Sequence, residues 1–202
     1  MKRFKYVLLG DTFCGKSSLI LRYTSKKFEH TSYSTIGCSF FSKTENINNI
    51  DYGLDIWDTA GQERYRTLLP MYYRDANVIF ICIDITNKEN IIENIQYWID
   101  ELGKYISLNR IIYIVGTKSD LVSIDEIDIF IKNIKKNFNL DLIITSSKSN
   151  LNVENTFKTS LIKTIEKYKN NQKEQNMETF EINETNMIID KNRYFLNWCS
   201  IL

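Results

Sequence analysis

Gly10-Asp11-Thr12-Phe13-Cys14-Gly15-Lys16-Ser17 sets two glycines, a lysine and a hydroxyl at the spacing GxxxxGK[ST]. Backbone N–H groups in such a loop, and the start of a helix behind it, attract phosphate. Gly15 lets the backbone approach closely, Lys16 can reach β- and γ-phosphates, and Ser17 can ligate Mg²⁺. Further on, Asp58-Thr59-Ala60-Gly61-Gln62-Glu63 supplies a carboxylate suited to Mg²⁺ through water, and a glycine N–H for a γ-phosphate. The same segment carries a glutamine, Gln62, that can orient an attacking water. Gly116-Thr117-Lys118-Ser119-Asp120 adds a carboxylate able to accept two N–H bonds from a guanine edge. Adenine offers no such pair of donors, and a buried carboxylate left unpaired is heavily penalised.

These residues need elements to hold them. Phe4 to Leu9 reads as a buried strand leading into the phosphate loop, and about Lys16 to Ser25 as the helix after it. Ser39 to Ile47 and Tyr52 to Trp57 flank Asn48-Asn49 and predict a hairpin. Val78 to Ile83 is a continuous β-branched run, the pattern of a central parallel strand covered on both faces. Ile91, Ile95, Trp98, Ile99 and Leu102 recur at helical spacing. Strand Arg110 to Val115, helix Ile124 to Phe138, strand Leu140 to Ile144 and helix Asn152 to Tyr168 follow. Val153, Phe157, Leu161 and Ile165 mark one face of that last helix. Strands alternating with helices predict a three-layer α/β domain on a mostly parallel sheet.

The chain has 202 residues, with 26 Lys+Arg against 25 Asp+Glu, so no global basic field points to nucleic acid. A hydrophobic fraction of 43% supports a substantial core. Four cysteines at 14, 38, 82 and 199 fit neither a zinc pattern nor a disulfide framework. No signal peptide, transmembrane run or myristoylation glycine is evident. His30 is the sole histidine and reads as a solvated residue without a catalytic role.

The motifs together resemble a Ras-superfamily small GTPase of the Rab family over residues 4–168. The run Ile56-Trp57-Asp58-Thr59-Ala60-Gly61-Gln62-Glu63-Arg64-Tyr65-Arg66-Thr67-Leu68 carries the resemblance, continued by Leu69-Pro70-Met71-Tyr72-Tyr73-Arg74 and Asp84-Ile85-Thr86-Asn87. Among Rabs, Pro70-Met71-Tyr72-Tyr73-Arg74 together with Lys16-Ser17-Ser18-Leu19 and Trp98 is most similar to the early-endosomal subgroup. The resemblance implies a P-loop G domain with a six-stranded sheet, one antiparallel edge strand and about five helices. It implies GTP/GDP held by the phosphate-loop residues and Ser18, Phe28, Ser34, Thr35, Gly61, Thr117, Lys118, Asp120, Ser146, Ser147 and Lys148. Phe28 would stack against guanine, and Thr35 in Tyr33-Ser34-Thr35-Ile36-Gly37 would join Ser17 and Asp58 at Mg²⁺. Lys16 and Gln62 would be the catalytic residues, and Ile36, Phe40, Trp57 and Tyr72 would meet effectors. The implied cycle is slow hydrolysis of GTP to GDP and phosphate, with effectors recruited in vesicle-mediated, endocytic trafficking. Its partners are effectors, an exchange factor, a GAP and a prenyl-Rab chaperone, with the chain acting as a monomer. Rival readings are a GTP-binding interaction module with negligible hydrolysis and a different P-loop phosphotransferase.

The departures from the family pattern are specific. Thr117 stands where most of the family has Asn, Ser147 where Ala is usual, and Phe13 is bulky for a phosphate loop. Cys38-Ser39 replaces Val-Asp. Residues 169–202 read as a flexible tail with 4 Lys+Arg and 5 Asp+Glu, so no polybasic address exists there. Cys199-Ser200-Ile201-Leu202 fits C-a-a-X with a geranylgeranyl-type ending. Prenylation at Cys199 is expected, assisted by Tyr194, Phe195, Leu196 and Trp198 at the interface. The expected location is the cytoplasmic face of an endosomal or vesicular membrane, in exchange with cytosol.

Overall fold

The computed structural model describes residues 1–29, 34–105 and 110–173. Tyr33 and His30, and the tail from residue 174 with Tyr194, Phe195, Leu196, Trp198 and Cys199, lie outside the described residues. The chain divides into two compact units, Met1–Ile162 and Lys163–Leu202. In the second, residues 163–173 are helical.

The first unit runs β1 (Lys2–Leu9), α1 (Lys16–Ser25), β2 (Cys38–Ile47), β3 (Ile50–Thr59), α2 (Leu69–Tyr73), β4 (Val78–Asp84), α3 (Ile91–Gly103), β5 (Ile111–Thr117), α4 (Ile124–Asn137), β6 (Asp141–Ile144) and α5 (153–162). The sheet order is β2-β3-β1-β4-β5-β6. Every pair is parallel except β2 with β3. The six-stranded α/β expectation is therefore met, including its single antiparallel edge. The hairpin turns through Asn48 and Asn49 with φ of 51° and 62°, the left-handed pair that a tight twisted hairpin needs. Asn46 accepts from Asn49 N–H at 3.1 Å and donates to Asp51 at 2.6 Å, closing the turn.

Side-chain parity builds the layers. Val7, Leu9, Ile79, Ile81, Ile83, Ile112 and Ile114 point to one face and bury Tyr73, Ile95, Trp98, Leu102, Phe130 and Ile134 from α2, α3 and α4. The alternate residues carry an aromatic layer to the other face. Phe157 of α5 stacks on Tyr23 of α1 with centroids 3.8 Å apart and meets Phe80 edge-on at 5.3 Å. Tyr6 and Tyr113 flank Phe80 at 5.8 and 5.9 Å. Removing the Phe157 ring would open a cavity costing about 3–5 kcal/mol.

One segment carried no helical expectation. Glu63–Leu68 forms a 3₁₀ helix that passes directly into α2, with Pro70 in the first turn of α2. At five to six residues, neither piece is long enough to display a 3.6-residue period. Because the strands are parallel, the C-terminal ends of β1, β3, β4, β5 and β6 lie along one edge, where a ligand crevice forms in open α/β sheets.

Candidate functional site

All the predicted motifs leave that edge. β1 delivers the phosphate loop, β3 delivers Asp58 to Gly61, β5 ends at Thr117, and β6 leads into Ser146-Ser147-Lys148. Together they enclose a cleft of about 720 Å³. Thr12, Phe13, Gly15, Lys16, Ser17, Ser18, Phe28, Ser34, Thr35, Gly61, Thr117, Lys118, Asp120, Ser147 and Lys148 line it, as expected. Glu29 and Leu121 line it as well and were not foreseen; each is next to a foreseen residue. Gly10, Asp11, Cys14 and Ser146 are not part of the lining. Gly10, Cys14 and Ser146 are buried behind the cleft and shape it from there.

The phosphate loop is built on close approach. Gly10 has φ of 140°, and a Cβ there would stand 2.3 Å from the Cys82 carbonyl oxygen. Gly15, in the left-handed region, opens α1. Lys16 is 5% exposed, and its ammonium donates to the Gly10 and Asp11 carbonyls at 2.8 Å each. Among the described residues it has no carboxylate ion-pair partner. A buried cation held by two carbonyls and, at 3.6 Å, the Cys14 sulfur lacks the countercharge that burial requires, and an anionic ligand in the cleft would supply it. Burial also pushes the neighbouring Cys14 thiol up, despite the opposing Lys16 charge, so it stays neutral.

Three oxygen donors meet beside Lys16. The Ser17 and Thr35 hydroxyls are 2.9 Å apart, and Thr35 donates to Asp58 at 3.4 Å. Asp58 Oδ1 is buried without a hydrogen-bond partner. Burial raises the Asp58 carboxyl; the Ser17 hydroxyl, the Lys16 charge and Thr35 counteract it only in part. A hard cation would satisfy the orphaned oxygen, and hydroxyl and carboxylate oxygens are the donor set Mg²⁺ takes. The described residues contain no His/Cys/Asp/Glu cluster able to hold a metal by themselves. Two of the three donors here are hydroxyls, so the two observations agree.

Gly61 closes this end. A Cβ on it would lie 2.4 Å from both Asp11 C and Thr12 N, so only glycine lets the loop after β3 rest on the phosphate loop. Gln62, half-buried beside it, is not among the cleft-lining residues and starts the 3₁₀ helix from an extended conformation. Arg66 of that helix lies over the Tyr97 ring at 4.8 Å and approaches Asp11 at 3.6 Å. Asn94 of α3 donates to Asp11 at 2.5 Å. Sequence spacing carried no sign of this Asp11, Arg66 and Asn94 grouping, because its members come from three distant segments.

At the other end, Lys118 takes φ of 59° and pairs with Asp84 at 2.6 Å. Burial would raise the Asp84 carboxyl, but Lys118 and the Thr86 donors outweigh it and hold it below its ordinary value. Asp120 accepts from the Ser146 hydroxyl at 2.6 Å. That contact gives buried Ser146 a supporting role rather than a lining one. Thr117, the departure from Asn, donates to the Cys14 carbonyl at 2.6 Å and lies 3.0 Å from the Ile83 carbonyl. Its hydroxyl therefore still reaches the phosphate loop.

Outside the cleft, Phe40, Trp57 and Tyr72 form one contiguous aromatic strip, with centroids 5.2 and 5.6 Å apart in sequence. Phe40 is 54% exposed and Ile36 78%. Phe13 is 62% exposed at the cleft mouth with φ of 61°.

The Ras family model matches residues 5–167. The Ras-related protein RABF2a of Arabidopsis thaliana is 41% identical over 158 residues, covering 76% of this chain and 76% of that protein. The Ras-related protein Rab-1 of Theileria parva is 39% identical over 161 residues, covering 77% of this chain and 71% of its own length. The Ras-related protein Rab5 of Nicotiana tabacum is 46% identical over 117 residues, 58% of each chain.

Proposed function

The chain belongs to the Rab branch of the Ras family of small GTPases and is Rab5-like; from that premise we propose how its residues bind guanine nucleotide, hydrolyse GTP and signal the difference. As a family member it is a GTPase and a GTP-binding switch in membrane trafficking. The observation that carries the residue-level reading is a single cleft with, at one end, a buried ammonium that has no carboxylate partner among the described residues and, at the other, a carboxylate. Lys16, Gly15 and the α1 N-terminus take the phosphates. Asp120 accepts from the guanine edge, the Ser147 and Lys148 backbone meets the base oxygen, and Phe28 covers the ring.

Ser17, Thr35 and Asp58 would hold Mg²⁺, which when bound supplies positive charge against the β- and γ-phosphate oxygens. Gln62 orients the water that attacks the γ-phosphorus; the β–γ bridging oxygen leaves with GDP, and inorganic phosphate departs. Lys16 and the loop N–H groups hold the charge that grows on the phosphate oxygens. Thr35 and Gly61 touch the γ-phosphate side and so report its loss. Released, they free the segments bearing Ile36, Phe40, Trp57 and Tyr72, which effectors read only when ordered.

We place the switch in endocytic traffic, on the cytoplasmic face of an endosomal or vesicular membrane. An exchange factor, a GAP, effectors and a prenyl-Rab chaperone are its partners, and it acts as a monomer. Residues 1–168 form the G domain and 169–202 the tether, lipidated at Cys199. Localising the tagged protein beside Ser17→Asn and Gln62→Leu variants tests this. Gln62→Leu should concentrate on endosomes and Ser17→Asn should be cytosolic; identical distributions would contradict the switch reading. A Cys199→Ser variant should leave the membrane fraction, and its retention there would refute the lipid anchor.

A further inference from the structure

Arg22 stands in the last turn of α1, about two turns from the phosphate-binding start of that helix, and is not itself part of the cleft lining. Its guanidinium spans three carbonyls. Nε donates to Ser147 O at 2.5 Å, Nη2 to Lys148 O at 3.0 Å, and Nη1 to Lys26 O at 2.7 Å. The Phe28 ring centroid lies 5.8 Å from its Cζ. A contact to Lys26 alone would be a helix cap. The other two join α1 to a loop 125 and 126 residues away.

Peptide geometry gives these contacts a consequence. The described residues have no cis peptide bonds, so each unit carries its C=O and N–H in one plane, pointing in opposite directions. The unit joining Ser147 to Lys148 has its carbonyl on Arg22, so the Lys148 N–H is directed away from Arg22. The next unit has its carbonyl on Arg22 Nη2 and its N–H, that of Ser149, on the Ser146 hydroxyl at 3.0 Å. That hydroxyl donates to Asp120 at 2.6 Å. A cation therefore sits at one end of a hydrogen-bonded chain and the guanine-reading carboxylate at the other. Such chains polarise their members in one direction, and a charged donor on a carbonyl strengthens the N–H of the same peptide.

We propose that Arg22 is a positioning residue for guanine recognition, holding the Ser147–Lys148 peptide so that the Lys148 N–H meets the oxygen on C6 of the base. This rests on the nucleotide-site reading given above and adds a residue that makes no contact with the nucleotide itself. Arg22 reaches the guanine edge through the Ser147–Lys148 peptide and, along the hydrogen-bonded chain, through Asp120, so its effect is greatest on ligands that carry both the C6 oxygen and the ring N–H beside it. Lysine keeps the charge but has no planar fork to span Ser147 O and Lys148 O together.

The test compares GDP with 2-aminopurine riboside 5′-diphosphate, which has hydrogen in place of the C6 oxygen and so no N1–H for Asp120, on the purified full chain. Equilibrium affinities are read for wild type, Arg22→Ala and Arg22→Lys, with melting curves to check folding. Arg22→Ala should reduce the preference for GDP over the analogue by roughly tenfold or more, with Arg22→Lys intermediate. Should Arg22→Ala fail to fold, Arg22→Lys carries the comparison alone. Equal losses for both ligands would mean a merely structural role and overturn the proposal while leaving the nucleotide site intact. Wild type that binds neither ligand would overturn the nucleotide-site reading, and this proposal with it.

Discussion

The Thr117 hydroxyl donates to the Cys14 carbonyl at 2.6 Å, tying the end of β5 to the back of the phosphate loop. Thr117 is 2% exposed, so this bond is shielded from water. Replacing the hydroxyl by a methyl in Thr117→Val keeps the shape and strands the Cys14 oxygen. Stranding that oxygen costs about 1–3 kcal/mol, and nucleotide dissociation should quicken by roughly 5- to 150-fold. Release of a fluorescent GDP analogue measures it. An unchanged rate would mean that the tie plays no part in holding nucleotide.

Gly61→Ala puts a methyl against the Asp11–Thr12 backbone, which cannot swing aside as a side-chain tip would. The loop after β3 must then leave the phosphate loop. GDP affinity should hold, while single-turnover hydrolysis falls by roughly a hundredfold, the scale of a lost transition-state donor. Crystals of the variant with a GTP analogue should have Gln62 displaced, and an undisturbed loop would contradict the packing argument.

The Lys118–Asp84 pair sets a pH dependence. Asp84 is depressed below its ordinary value of 3.8, so its stabilising contribution is present above that value and disappears as pH falls through the lower, folded one. Both partners are partly exposed, which limits the contribution to ~1 kcal/mol. Asp84→Asn should therefore unfold at lower urea than wild type at pH 7, with the gap narrowing below about pH 4. A gap that is constant with pH would deny the pair any role.

Phe13 holds φ of 61° with most of its ring in solvent. Relief of a left-handed penalty of about 1–2 kcal/mol is partly offset by the ~0.5–1 kcal/mol entropy cost of glycine. Phe13→Gly should raise the urea midpoint slightly and leave hydrolysis near wild type. A marked loss of either would mean that the ring packs on nucleotide.

The motifs that converge on the cleft were legible because each chemistry needs fixed neighbours in sequence: Gly15 before Lys16 before Ser17, Lys118 two before Asp120. Strands such as β4 were legible from the unbroken apolar run Val78 to Ile83. What stayed hidden joins distant segments. Arg22 meets Ser147 across 125 residues, and nothing local in either marks the contact. Gly53 leaves room for the Arg3 side chain, which pairs with Asp55 on the neighbouring strand. Ser146 reads as a nucleotide contact from its motif, yet burial turns its hydroxyl to Asp120.

We propose that this cleft hydrolyses GTP with Gln62 directing the water. Single-turnover hydrolysis of GTP by wild type and Gln62→Leu, with Mg²⁺ present, addresses it most directly. Wild type should yield only GDP and phosphate at about 10⁻⁴–10⁻³ s⁻¹, and Gln62→Leu should be slower by roughly tenfold or more. Wild type that binds GTP but leaves it intact, or a variant as fast as wild type, would contradict the account.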